Sequence, residues 1–309
     1  MKINLIKITV LLFLVLSCSI DEHYYYCFSR NQNINIYFVK DGQLNFTASK
    51  VDLDTIRIET TPWLKQSEID FYDWSSHIFY LHNEKKKETQ EGRFFVVSNN
   101  NKRLFLGIFF PMYMSSIPQI PAIIASEDFF YPNDVVALGG YSFFESTNIL
   151  DKNFEFKEAL QNAGLLQYGI EVDLLKVKQI NSTSIQYTYK VTNLDSDKIY
   201  ILDPDKMGAS RFHYYTNGVS FRHSDQYYYP QNIKSTASDK ILSSWYYRLL
   251  PGQSLTRTVK LEGFQSLPSG KIEAYFNFPG SSVKSGEWEK RDGRIWLGNF
   301  RIEKEMTLQ

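Results

Sequence analysis

Three acids, Glu68, Asp70 and Asp73, stand close together beside Trp63, Tyr72 and Trp74. Glycoside hydrolysis needs two carboxyl groups roughly 5–9 Å apart, and flat aromatic rings bind sugar faces. On an extended strand Glu68 and Asp70 would share one face at about 7 Å, which suits that chemistry. The same mixture of acids and aromatics also arises on an exposed strand or turn with no catalytic role. A second group, Asp195-Ser-Asp197 and Asp203-Pro-Asp205, supplies oxygen donors that calcium could use. Calcium wants six to eight oxygens, and neither loop has the spacing or closing glutamate of an EF-hand. Asx-turns explain each of these aspartates without a metal.

The five histidines, His23, His77, His82, His213 and His223, form no HExxH pair, and no cysteine pair is spaced for zinc. No GxSxG or glycine-rich phosphate loop occurs, and "ALGGYS" (137–142) does not introduce a helix, so it reads as a turn. One aromatic tract remains. Arg211 to Asn232, "RFHYYTNGVSFRHSDQYYYPQN", interleaves rings with Arg222, His223, Ser224 and Asp225. That polar succession excludes a wholly buried strand, so Tyr227, Tyr228 and Tyr229 fall at or near a loop, with Arg222 beside them. Tyrosine rings on loops bind peptides and glycans because they offer large contact area at low entropic cost. The alternative is that they cover the end of a sandwich.

Strands must position these groups. The chain carries 23 Phe, 21 Tyr and 5 Trp, and aromatics favour strands. Asn35–Val39 and Gln43–Thr47 flank Lys40-Asp41-Gly42, and Arg93–Val97 and Arg103–Phe109 flank Asn99–Asn101; both are hairpin signals. Pro111, Pro118 and Pro121 confine the following stretch to an edge or a loop. The run Glu84–Glu88 reads as a solvated loop tip. Phe154–Ala163 has helical spacing at Phe156, Leu160 and Ala163, with Asp151 or Asn153 to cap it and Gly164 to end it. From Tyr168 onward Ile170-Val172-Leu174 and Ile185-Tyr187-Tyr189-Val191 alternate cleanly, followed by strands at 198–202, 254–261, 271–278, 294–297 and 300–302. The expectation is an all-β chain with an antiparallel β-sandwich in its C-terminal half. A second β-rich region forms the N-terminal half, and one short helix connects the two.

The stretches "YKVTNLDSDKIYIL", "TNGVSF" and "LLPGQSLTRTVKLEGFQSLPSGKIEAYFNF" resemble the immunoglobulin-like sandwich of bacterial proteinase-inhibitor domains and of accessory domains in secreted peptidases. The resemblance spans roughly residues 168–280 and implies a fold rather than inhibition.

The beginning of the chain speaks to location. Lys2 and Lys7 precede an apolar run, Ile8–Leu16, about half the length needed to span a bilayer. Val15-Leu16-Ser17-Cys18 resembles the lipobox of bacterial lipoproteins, with Leu16 departing from the small residue often found there. The resemblance implies removal of residues 1–17 and acylation of Cys18, the thiol being needed for a thioether to diacylglycerol. Each buried methylene then contributes about 0.8 kcal/mol to membrane binding. Cys27 would be left without a partner, so no intramolecular disulfide is expected. Ser19 after the cysteine, followed by Asp21-Glu22, points to the outer membrane of a Gram-negative envelope, on its periplasmic or surface face.

The segments are therefore 1–17 signal peptide, 18–30 lipidated tether, 31–150 β-rich domain, 151–167 helical connector and 168–309 sandwich. The 34 basic residues equal the 34 acidic ones, so no field exists to attract nucleic acid. No cofactor is implied. The expected partners are the membrane, through the lipid, and a protein, peptide or glycan ligand. A non-catalytic binding or assembly module is the expected role, and a glycan-directed hydrolase using the N-terminal acids is the alternative.

Overall fold

Two uninterrupted apolar runs, Phe94–Val97 and Leu104–Phe110, are too greasy to leave either face in water, and both become strands with two buried faces. The computed structural model describes residues 32–40, 51–87, 90–111, 118, 120–125, 131–139, 149–216, 218–231, 241–279 and 283–308. The signal-like segment, Cys18, His23, Cys27, Gln43–Thr47 and residues 140–142 of the "ALGGYS" turn lie outside these. Residues 31–309 make one compact unit.

Its first strands are β1 (Ile34–Phe38), β2 (Ile69–Asp73), β3 (Ile78–Leu81), β4 (Phe94–Asn99), β5 (Lys102–Phe110), β6 (Ala122–Ile124) and β7 (Val135–Ala137). Helix α1 (Phe154–Asn162) and β8 (Leu166–Gln167) follow. One sheet has the order β1-β4-β5-β6 and a second the order β7-β3-β2-β8. The β4–β5 hairpin turns at Asn100, whose φ of 53° is the positive value asparagine tolerates. Asn153 accepts from the Phe156 N–H to cap α1, and Gly164, at φ 71°, lies just beyond its end. Phe156 of α1 meets Tyr72 and Phe105 edge-on, at 5.2 and 5.0 Å.

Both faces of the second sheet are buried. Tyr72, Phe79, Leu81 and Val136 pack with the first sheet and α1. Ile78, Tyr80 and Val135 join the core of the C-terminal half, with Phe71 packed against it. Each fully buried ring or branched chain contributes about 1.5–3 kcal/mol, so this sheet ties the two β-rich halves together.

The C-terminal half contains β9 (Ile170–Asn181), β10 (Ser184–Asn193), β11 (Lys198–Leu202), α2 (Pro204–Met207), α3 (Ala209–Thr216), β12 (Val219–His223) and β13 (Gln226–Tyr228). Then come β14 (Tyr246–Leu249), β15 (Ser254–Glu262), β16 (Gly270–Pro279), β17 (Glu289–Lys290), β18 (Gly293–Ile295) and β19 (Asn299–Leu308). Antiparallel sheets β15-β10-β9 and β13-β12-β16-β19 face each other. Tyr187 and Tyr189 of the first sheet lie 5.7 and 5.1 Å from Phe276 of the second. The two make an antiparallel sandwich, inner residues alternating with polar outer ones. A further sheet, β14-β11-β18-β17, covers one side. Most pairs are antiparallel; β5–β6, β2–β8 and β11–β18 are parallel.

Two sequence expectations change. Lys87, expected in a solvated tip, is 3% exposed, and its ammonium donates to the carbonyls of Tyr131, Pro132 and Val135. Three carbonyl acceptors replace water around the charge. The aromatic tract also begins as a helix, not a loop: α3 buries Phe212 and His213 against the sandwich.

Candidate functional site

The β2–β3 hairpin is the starting point. Its turn places Asp73 inward with both oxygens engaged. Ser75 Oγ donates to Asp73 Oδ1 at 2.7 Å, and the Ser76 N–H donates to the same oxygen at 3.1 Å. Ser75 Oγ accepts in turn from the Ile170 N–H and from Trp296 Nε1, at 3.1 and 2.9 Å. Asp73 Oδ2 receives Arg294 Nη2 at 2.8 Å, and Arg294 Nη1 donates to Gln167 Oε1 at 2.5 Å. Asp195 completes the group, ion-paired with Arg294 and accepting from the Gly169 N–H at 2.6 Å.

All three charged side chains are at least 96% buried. One cation therefore serves two anions away from water. Burial raises the Asp195 carboxyl above its ordinary range, outweighing the Arg294 charge that opposes the shift. Burial opposes the charge of Arg294, but Asp73 and Asp195 more than offset it and the guanidinium stays protonated.

A cleft of about 660 Å³ opens above this buried group. Asp70, Phe71 and Gln167 come from the second sheet and Ser196–Lys198 from the β10–β11 turn, while Pro251 stands between β14 and β15. Trp288–Arg294, from the β17–β18 hairpin, form the remaining wall. The aromatic floor is fixed. Phe71 stacks on Tyr80 at 4.5 Å, the Trp288 ring meets Tyr80 at 4.6 Å, and Trp288 Nε1 donates to Asp134 at 2.7 Å. Asp292 is held by Lys198 at 2.8 Å and by the Tyr200 hydroxyl at 2.7 Å, with Arg248 3.5 Å away. Those bonds, Lys198 first, hold its carboxyl down at about 2, so it is an anion at any physiological pH.

The acids singled out in the sequence are thus partly gathered. Asp70 and Asp197 line the cleft, and Asp73 and Asp195 lie beneath it under Arg294. Glu68 sits apart. It belongs to a 3₁₀ turn, Gln66–Glu68, so the strand spacing to Asp70 does not hold. Its carboxylate accepts from the Lys65 N–H and pairs with Lys85 at 2.8 Å. Burial acts to raise the Glu68 carboxyl, but these bonds leave it below its ordinary value. Asp70 pairs with His82. Asp203 caps α2 and takes Arg257 in a two-pronged pair at 2.8 and 2.9 Å, and Asp205 adds a further contact to the same arginine at 2.9 Å. Arginine thus stands where calcium was considered for Asp195, Asp203 and Asp205. Among the described residues no three His, Cys, Asp or Glu side chains converge as a metal site would require.

The tyrosines divide by strand alternation. Tyr227 and Tyr229 are 46% and 56% exposed, whereas Tyr228 turns inward into the sandwich core. Arg222 lies across from Tyr227 and pairs with Glu273 at 2.9 Å. His77, in the β2–β3 turn at φ 54°, bridges the buried Tyr72 hydroxyl (2.9 Å) and Asp151 (2.8 Å).

Sequence reasoning passed over Trp288, Asp292 and Arg294. The signal available was the charge-dense "EWEKRDGR" (287–294), which sits in a turn and can serve only a surface or a site.

No family model matches the chain, and no curated protein matches it. Among solved structures, the β-glucosidase of Kluyveromyces marxianus aligns at 14% identity and a TM-score of 0.18, over 45% of this chain and 14% of that one. Its complex with glucose gives 14% and 0.18 over 50% and 17%. The chain therefore spans less than a fifth of that enzyme's length, and a likeness at this level carries over neither fold nor activity.

Proposed function

We propose that the chain is a lipid-anchored cell-envelope protein of a Gram-negative bacterium, tethered through Cys18, and that it acts as a non-catalytic binding module with the cleft as its ligand site. The observation that supports this reading is the state of four of the six carboxylates at and under the cleft, Asp197 and Glu289 being the other two. Asp292 is a fixed anion, Asp70 is paired with His82, and Asp73 and Asp195 are committed to Arg294. General acid catalysis needs a carboxyl poised near the working pH and free to reach the substrate. Asp195 is the raised carboxyl here, and it is buried against an arginine. A rigid set of donors and acceptors over an aromatic floor suits recognition instead.

The test combines ligand binding with product analysis on the full chain in detergent micelles. Binding of a peptide or glycan that is recovered unchanged, and that weakens in Asp292→Asn, supports the reading. Turnover abolished by Asp70→Asn would replace it with the hydrolase alternative, which draws on the place of Asp70 in the cleft wall.

A further inference from the structure

We infer that the cleft takes a neutral, hydroxyl-rich ligand, an oligosaccharide without ionic groups; this rests on the cleft being the ligand site. Its basic and acidic lining residues are equal in number, four of each. An anionic ligand would meet four carboxylates and a cationic one four cations, so neither gains a net attraction to offset its lost hydration.

Several lining groups already have partners within the protein. Lys198 and Asp292 hold each other, and the Lys290 ammonium donates to the Glu287 carbonyl at 2.9 Å. What such a wall has left to offer is single donors and acceptors close together. A sugar hydroxyl both donates and accepts, so it can bridge neighbours of opposite polarity that an ion would serve only by halves.

Two further features fit. Phe71 and Pro251 supply apolar surface for the C–H face of a sugar ring. A volume of about 660 Å³ lies in the range that small-ligand sites use.

The experiment applies the full chain in detergent micelles to an array of neutral, carboxylated and amino-bearing oligosaccharides. Hits are titrated by calorimetry at about 50 mM and about 500 mM salt. The expected result is binding of neutral glycans with little change between the two salts. It should weaken at least tenfold in Arg291→Ala and in Asp197→Asn, and stay unchanged in Lys178→Ala on the exposed side of β9. A preference for carboxylated or amino glycans that falls with salt and responds to the same two variants overturns the ligand class and leaves the cleft standing. No binding on the array, or binding indifferent to both variants, overturns the cleft itself.

Discussion

Replacing Arg294 by methionine removes the cation shared by two buried carboxylates, and the consequence can be worked out. Asp73 and Asp195 are 0% and 1% exposed, so water cannot take the place of the guanidinium. Breaking a buried pair from one side costs about 3–5 kcal/mol. For a chain of this size each kcal/mol lowers the melting temperature by about 2–4 °C, so a drop of roughly ten degrees is expected. The sign of the pH dependence follows from burial. Asp195 is raised above its ordinary value even with Arg294 present. Without the arginine the charge that opposes burial at Asp195 is gone, so its folded carboxyl lies further above its unfolded value, and between the two the folded state binds more protons. Stability of the variant then rises as pH falls, by about 1.4 kcal/mol per unit while Asp195 takes up its proton. Urea unfolding followed by tryptophan fluorescence at pH 7 and pH 5 reads both quantities. The deficit should be large at pH 7 and smaller at pH 5, and adding Asp73→Asn and Asp195→Asn should recover most of it. A loss below about 1 kcal/mol, or one equal at both pH values, would refute the account of a desolvated triad.

Other outcomes are specific as well. Gly169 has a φ of 75°, and a Cβ there would run into Ser75 Oγ and Asp73 Oδ1, so Gly169→Ala should lower stability by more than about 2 kcal/mol in the same urea assay. His213 is buried and its imidazole is pushed down to about 4 by desolvation. The unfolded chain therefore takes the proton first as pH falls below about 6.5, and up to about 3 kcal/mol of stability is lost by pH 4; His213→Leu should flatten that slope. Cys18→Ser should abolish incorporation of a fatty-acid label and leave the chain in the soluble fraction; unchanged labelling and membrane partition would remove the anchor from the proposal.

Strand positions were readable where one face of a sheet meets water. Ile185, Tyr187, Tyr189 and Val191 alternate because β10 has one buried side, and the structure buries those four residues. The helix over 154–162 was readable from its spacing and from Asn153, which does cap it. Helix α3 was not, since Phe212, Tyr214 and Tyr215 carry a strand preference that packing against the sandwich overrides. The candidate site was half legible. Asp70, Asp73, Asp195 and Asp197 stood out as acids, but they were sorted into two unrelated chemistries, because only the fold brings residue 73 to residue 294. Arg294 itself looked like one more residue of a strand.

The pairing of Asp73 with Arg294, and of Ser75 with Trp296, each spans 221 residues. A chain that emerges from its amino end must therefore hold the turn that seats Asp73 incomplete until residues 294 and 296 have followed it. Contacts this distant close slowly, and partly formed sheets with bare edges tend to stick to one another meanwhile. Correct maturation should accordingly depend on a holding chaperone more strongly than it would for a domain built from neighbouring hairpins.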